Sequence, residues 1–317
     1  MRQVGSRYVL EERIGSGGMG EVWRGRAVAD NDVVAVKILH QNLTSDAENV
    51  ERFLRERRVL MEVASPNVVK VHDLVVEGST LAIVMEFVDG GDLRSFSTAA
   101  GGLGGEQALE LVIGLAEGVR AIHLNGVIHR DIKPQNVLVD ASGGRLVAKV
   151  GDFGIARVVA DNHITQHGHL MGTPTYMAPE TLQELPATTS TDLYAVGCVL
   201  YEVIAGRPPF VGTQASIMQQ HINAQPPPLP GIVPALWALI ARLLDKNPAV
   251  RPSASETVAV LRDLMVATPL VEAADDTTQR DHVPWWLPPF VARSNEVMAR
   301  STPVQPVAPS DCEWWKQ

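Results

Sequence analysis

The chain has 317 residues, 45% of them hydrophobic and 20% charged, with a formal net charge of -9. That balance gives enough apolar material for one large domain or two lobes, and its acidic sign argues against the basic footprint of a dedicated nucleic-acid binder. With only Cys198 and Cys312, a polar start over residues 1–7 and no run near ~18 apolar residues, it points away from a disulfide framework, a signal peptide and a membrane span, and toward a reducing, cytoplasmic setting.

Residues 8–14 and 21–26 read as strands around the turn Gly15-Ser16-Gly17-Gly18-Met19-Gly20. Glycines let a backbone approach an anion closely and aim its N–H groups at it. The same Gly-x-Gly-x-x-Gly spacing also marks dinucleotide sites, but those need a helix next, and Val22-Trp23-Arg24 reads as a strand. Residues 33–39 form a buried-strand run with Lys37 inside it, an expensive placement unless the ammonium is paired. Residues 47–63 are helical in pattern, with Phe53, Leu60 and Val63 on one face and Glu51, Glu56 and Glu62 as candidate partners for Lys37. Residues 68–76 and 81–87 then complete a small five-stranded sheet, and Asp92 beyond it suits a helix N-cap.

From Glu106 the pattern turns helical, with Leu109, Val112, Leu115, Ala116, Val119 and Ile122 on one stripe. The helix leads into His129-Arg130-Asp131-Ile132-Lys133-Pro134-Gln135-Asn136, a polar loop ahead of the strand-like residues 137–139. Asp152-Phe153-Gly154 follows the apolar run 146–150. Asp131, Asn136 and Asp152 together offer two carboxylates and an amide oxygen, hard ligands of the kind Mg²⁺ takes in small number. Residues 161–171 read as a polar loop; its His163, His167 and His169 lack the cysteine or carboxylate company of a metal site. Apolar helices follow at 190–204 and 253–266. The tail 266–317 is rich in proline and carries Trp285-Trp286 and Trp314-Trp315; it reads as irregular, with the tryptophan pairs suited to docking on the domain or binding a partner.

Taken in order, these stretches resemble the eukaryotic-like serine/threonine protein kinases of bacteria over about residues 8–265. The resemblance implies an α+β bilobal fold, with a five-stranded antiparallel small lobe over about 8–88 and a mainly helical large lobe over about 89–265, after a short extension at 1–7. It implies ATP as cosubstrate with Mg²⁺, Mn²⁺ being an acceptable substitute, and proteins bearing Ser or Thr as substrates. Asp131 then orients the hydroxyl, Lys133 stabilises the moving phosphoryl, and Asn136 and Asp152 hold the metal. Lys37 anchors ATP with Glu56 as the best-matching partner. Ile14, the turn from Gly15 to Gly20, Val22, Ala35 and Leu138 enclose the nucleotide. Met85 guards the pocket, backbone groups of Glu86 and Val88 bond adenine, and Asp92 meets the ribose.

The resemblance further implies an activation loop ending at Ala178-Pro179-Glu180, with Glu180 paired to Arg251 and Asp192 bonded to the catalytic-loop backbone. Phosphate on Thr165, with Thr173 and Thr175 as weaker candidates, would be received by Arg130 and Arg157. Relatives commonly dimerise through the back of the small lobe, and no motif here decides that. Competing readings are a pseudokinase, usually marked by loss of residues such as Lys37, Asp131 or Asp152, a small-molecule phosphotransferase, which generally lacks Ala-Pro-Glu, and a scaffold driven by the tail.

Overall fold

The computed structural model of the chain describes residues 2–17, 20–40, 61–78, 80–100, 102–152 and 174–267. Gly18, Met19, Glu51, Glu56, Phe153, Gly154, Arg157, the three histidines of 161–171, Thr165, Thr173 and the tail from 268 lie outside the described residues.

The small lobe is an antiparallel sheet of β1 (Arg2–Val4), β2 (Tyr8–Gly17), β3 (Gly20–Ala27), β4 (Val33–Leu39), β5 (Val71–Glu77) and β6 (Thr80–Glu86). The spatial order is β1-β2-β3-β4-β6-β5. The sheet therefore has six strands, not five, and the extra one falls within the expected N-terminal extension. It pairs Val4 with Tyr8, and Gly5 N–H donates to Glu77 Oε2 at 3.0 Å, which draws the β1 edge toward β5. Strand alternation sorts β4 into two faces. Val34, Val36 and Ile38 join Val4, Tyr8, Leu10, Val75, Ala82 and Val84 in one apolar cluster. Ala35 and Leu39 face the other way and join the main core with Ile83 and Met85. Lys37 shares that second face by the same period of two.

The large lobe holds α1 (Leu93–Ala99), α2 (Gly105–Leu124), the hairpin β7 (Val137–Asp140) and β8 (Val147–Val150), then α3 (Pro179–Leu182), α4 (Thr189–Ala205), α5 (Gln214–Asn223), α6 (Pro234–Leu243) and α7 (Ala254–Ala267). α4 is its axis. Thr188 and Thr191 form a reciprocal capping box at its start, and Gly206 closes it in the left-handed conformation at φ 69°. Leu193, Tyr194, Val196, Cys198, Val199, Leu200 and Tyr201 are all buried along it, as in a helix covered on every side.

The lobes are joined at a close backbone approach. A Cβ on Gly118 of α2 would lie 2.3 Å from Asn67 O, so only glycine lets the segment before β5 rest on the helix. Asn67 Nδ2 donates to Ala148 O at 2.9 Å, and Val150 N–H donates to Asn67 O at 2.9 Å. Val69 N–H in turn donates to Val150 O at 2.8 Å. A small-lobe segment is thus laced onto β8, the strand that leads to Asp152.

Candidate active site

The polar loop takes its shape from a buried carboxylate behind it. Asp192, 1% exposed in the first turn of α4, accepts the N–H groups of His129 and Arg130 at 2.8 Å each. His123 Nε2 of α2 donates to the same carboxylate at 2.8 Å. These bonds hold Arg130 at φ +65°, a left-handed backbone that costs a non-glycine residue about 1–2 kcal/mol. His129 is itself buried, and its Nε2 donates to Gly151 O at 2.9 Å.

Lys133 is extended, as a residue before proline is driven to be. Pro134 then opens the 3₁₀ turn Pro134–Asn136, which brings Asn136 back over Asp131. Asn136 Nδ2 donates to Asp131 O at 2.7 Å and to Asp131 Oδ2 at 2.9 Å. Lys133 Nζ donates to the same Oδ2 at 2.8 Å. Two acceptors on Nδ2 fix the orientation of the amide. Oδ1 of Asn136 is then left without a bond among the described residues.

Asp152 is set beside this loop by its neighbour's peptide groups. Gly151 N–H donates to Asn136 O at 2.8 Å while Gly151 O accepts from His129. Asp152 has φ +50°, a second left-handed residue in the same place. Its Oδ1 accepts from Lys37 Nζ at 2.7 Å, joining β4 to the large lobe. Burial alone would raise the Asp152 pKa. The charge and hydrogen bond of Lys37, with Lys133 and His129 adding, outweigh that and hold it below the ordinary carboxylate value. The partner observed for Lys37 is thus Asp152, while Glu56, the partner expected from sequence, is outside the described residues. Among the described residues, Asp152 Oδ2 and Asn136 Oδ1 are two hard oxygens with no protein bond, which fits a divalent cation held by few protein groups.

An apolar wall adjoins these groups. Val22, Ala35, Met85 and Leu138 all pack on the main core, with Val22 and Leu138 half-buried. The ladder places Val22 opposite Lys37 and Ala35 opposite Met85, so side chains from β3, β4 and β6 share one face. Beyond the wall, Gly15 and Gly17 have no packing reason in the fold. A Cβ at Gly17 would meet nothing within 4 Å, and one at Gly15 only Val22 Cβ at 3.8 Å. Glycine there fits a backbone kept bare for a ligand. Gly20 differs, because a Cβ would sit 2.0 Å from Ile38 O. Ile14 is half-buried and Ser16 exposed on the same hairpin.

The segment joining the lobes is braced through Glu86. Its Oε1 accepts Lys70 N–H at 2.7 Å and its Oε2 accepts Lys149 Nζ at 2.8 Å. Glu86 N–H donates to Lys70 O at 2.9 Å. That N–H is therefore used within the fold. Val88 is half-buried beside it. Asp92 is a true N-cap: Oδ1 accepts Arg94 N–H at 3.0 Å and Ser95 N–H at 3.1 Å, and Oδ2 accepts the Ser95 hydroxyl at 2.7 Å.

The stretch before and after Ala178 is anchored at three points. Arg251 grips Glu180 in two parallel bonds, Nη1 to Oε1 at 2.7 Å and Nη2 to Oε2 at 2.9 Å, and Thr191 Oγ1 adds a third at 3.0 Å. Burial pushes the Glu180 carboxyl up, but these bonds hold it below its ordinary value. Tyr176 is held by Arg94 and donates to Glu202 of α4. Thr175, 8% exposed, is gripped through its carbonyl by His221 Nε2 at 3.1 Å. Its burial makes it a poor phosphate acceptor in this arrangement. Tyr194 OH bonds His221 Nδ1 at 2.8 Å, and Lys246 Nζ lies 3.3 Å from the same hydroxyl. Burial, then Lys246, push His221 down to about 4, so the imidazole is neutral. Sequence reasoning missed this His221 network, since its members are separated along the chain and none carries a local pattern.

Comparison with known proteins agrees with the geometry. The protein kinase domain family matches residues 8–260. The serine/threonine-protein kinase PkaA of Streptomyces coelicolor is 45% identical over 275 residues, covering 83% of this chain and 50% of PkaA. PkaB of the same organism is 42% identical over 83% of this chain and 64% of PkaB. PknE of Mycobacterium tuberculosis is 37% identical over 87% of this chain and 49% of PknE. The chain thus spans about half the length of the curated relatives it matches.

Proposed function

The chain belongs to the protein kinase family, and we propose that it transfers the γ-phosphoryl of ATP, taken as its Mg²⁺ complex, to serine or threonine hydroxyls of proteins. The observation that supports this best is the polar set in which Lys37 Nζ bonds Asp152, Gly151 N–H next to it bonds Asn136 O, and Asn136 and Lys133 both bond Asp131, all at 2.7 to 2.9 Å. ATP and a divalent cation are the family's reactants, and no helix among the described residues is long and apolar enough to cross a membrane. ATP as cosubstrate is also what supports a cytoplasmic location.

Phosphoryl transfer asks the protein mainly to position groups and neutralise charge. Asp131, its Oδ2 held by Asn136 and Lys133, receives the proton of the acceptor hydroxyl on its carboxylate and orients that hydroxyl toward the γ-phosphoryl. Lys133 supplies positive charge next to that proton transfer. Asn136 Oδ1 and Asp152 Oδ2 are the oxygens that would hold Mg²⁺, which would supply positive charge to neutralise the phosphates. Lys37 keeps Asp152 ionised and sits on the face where Val22, Ala35, Met85 and Leu138 receive the adenine. The bare backbone at Gly15 and Gly17 covers the phosphates. Thr165 is the acceptor we assign to autophosphorylation, since Thr175 is buried.

The test is transfer of labelled γ-phosphate from ATP to a generic protein substrate by the wild type and by Asp131→Asn. General-base catalysis is worth about 10²–10⁴-fold, so the variant should lose that much rate and no ATP affinity. Equal rates in the two proteins would remove Asp131 from this role, and no transfer by either would move the reading to a scaffold.

A further inference from the structure

We infer that His40 is a positioning residue for the glycine-rich turn, holding the lid over the ATP phosphates from the strand that also carries Lys37. The inference rests on the kinase reading of that turn. Its basis is one contact that joins residues 23 apart: His40 Nε2 donates to Gly17 O at 3.0 Å. That length is an ordinary N–H···O bond.

The contact matters because of where the turn lacks support. Gly17 is exposed and has open space around its Cβ position, so no side chain packing fixes it. The β2–β3 ladder that should hold it shifts register between Arg13 and Gly15, just where the hairpin enters the turn. The far limb is well held, since Gly20 pairs with Leu39 and lies against Ile38 O. The near limb resumes pairing beyond that shift, Gly15 with Val22, Ser16 with Glu21 and Gly17 with Gly20, but its tip at Gly17 has no packed side chain to hold it. His40 follows Leu39 directly, and its ring reaches past β3 to the carbonyl of this near limb. One strand thereby carries the cation at Lys37 and, three residues later, the ring that bonds the tip of the near limb.

A bond of this kind is worth a few-fold in an equilibrium constant, about 2- to 10-fold. His40→Ala removes the donor, while His40→Gln offers an amide N–H at similar reach. The experiment measures Mg–ATP affinity by direct titration, KM and kcat, the unfolding midpoint, and amide exchange across residues 13–23 in the three proteins. The expected result is 2- to 10-fold weaker ATP binding and a raised KM in His40→Ala, with kcat within two-fold, an unchanged midpoint, faster exchange in the turn, and recovery in His40→Gln. Affinity and exchange in His40→Ala equal to wild type would overturn the inference. If wild type itself binds no ATP, the kinase reading fails separately, and amide exchange alone decides whether His40 holds the turn.

Discussion

Two ion pairs in this molecule join a cation to a carboxylate with different completeness. Lys37–Asp152 is a single contact of 2.7 Å, with side chains 11% and 38% exposed. Arg251–Glu180 is bidentate, with side chains 0% and 6% exposed, and Arg251 makes further bonds to Ser190 O and Asp245 O. The first leaves one carboxylate oxygen, Asp152 Oδ2, without a bond among the described residues. The second has every direction filled and ties α3 and the start of α4 to the segment before α7. The difference teaches that a charge pair's job is set by what it leaves unsatisfied, not by its distance.

The comparison breaks hardest at Arg251. Removing the guanidinium leaves Glu180 buried without its partner, a loss of about 3–5 kcal/mol. Arg251→Ala should therefore show a much lower urea midpoint, and activity should fall with the folded fraction. Arg251→Lys keeps the charge but not the fork and should fall between the two. An unchanged midpoint in Arg251→Ala would show that the buried pair is dispensable.

A second, smaller effect comes from acid. His221 is 0% exposed and is held down to about 4, while an unfolded histidine titrates near 6.5. Between those values the unfolded chain binds the proton and the folded chain does not, so stability rises with pH through that window and is lost as pH falls through it. The slope is about 1.4 kcal/mol per pH unit at most. Denaturant titrations from pH 7 to 4 should show it, and His221→Gln should flatten it. The carboxylates have depressed values instead, so Glu180 and Asp152 add their own loss only at lower pH, below the ordinary carboxylate range.

The smallest effect sharpens the contrast within the same network. Tyr194→Phe deletes the hydroxyl bonded to His221 Nδ1, leaving a buried acceptor unmet at about 1–3 kcal/mol. Tyr194 and His221 in a double-mutant cycle should couple, because they share one bond. Additive losses would show that the hydroxyl and the ring act independently.

How much of this is legible in the sequence follows from how local each cause is. The run 33–39 reads as a strand because both its faces are apolar, and Lys37 stands out against that background. The loop 129–136 reads as a site because proline and the acid–amide spacing act within eight residues. β1 does not read at all. It has three residues, Arg2–Val4, of which only Val4 is buried, and its stability comes from Tyr8 and Glu77. Nor does α5 stand out, since it buries only Ile217 and His221, whereas α6 buries Leu236, Leu239, Ile240 and Leu243 at helical spacing and is legible. The Lys37–Asp152 contact spans 115 residues and the His221–Thr175 contact 46. Such contacts exist only once the fold has brought distant segments together, and no period or spacing announces them.

The measurement that reaches the centre of the account is Asp152→Asn, read for phosphoryl transfer and for unfolding together. Asn keeps the shape and a carbonyl oxygen but gives up the charge that pairs with Lys37 and would hold the metal. The account predicts transfer reduced by at least about 10²-fold, the scale of losing one electrostatic group in a preorganised site, with the urea midpoint falling less than in Arg251→Ala because Asn keeps an oxygen for the Lys37 ammonium. Transfer at the wild-type rate would contradict it, because the Lys37–Asp152 pair would then have no catalytic role. A midpoint falling as far as that of Arg251→Ala would contradict it as well, by making the two pairs alike.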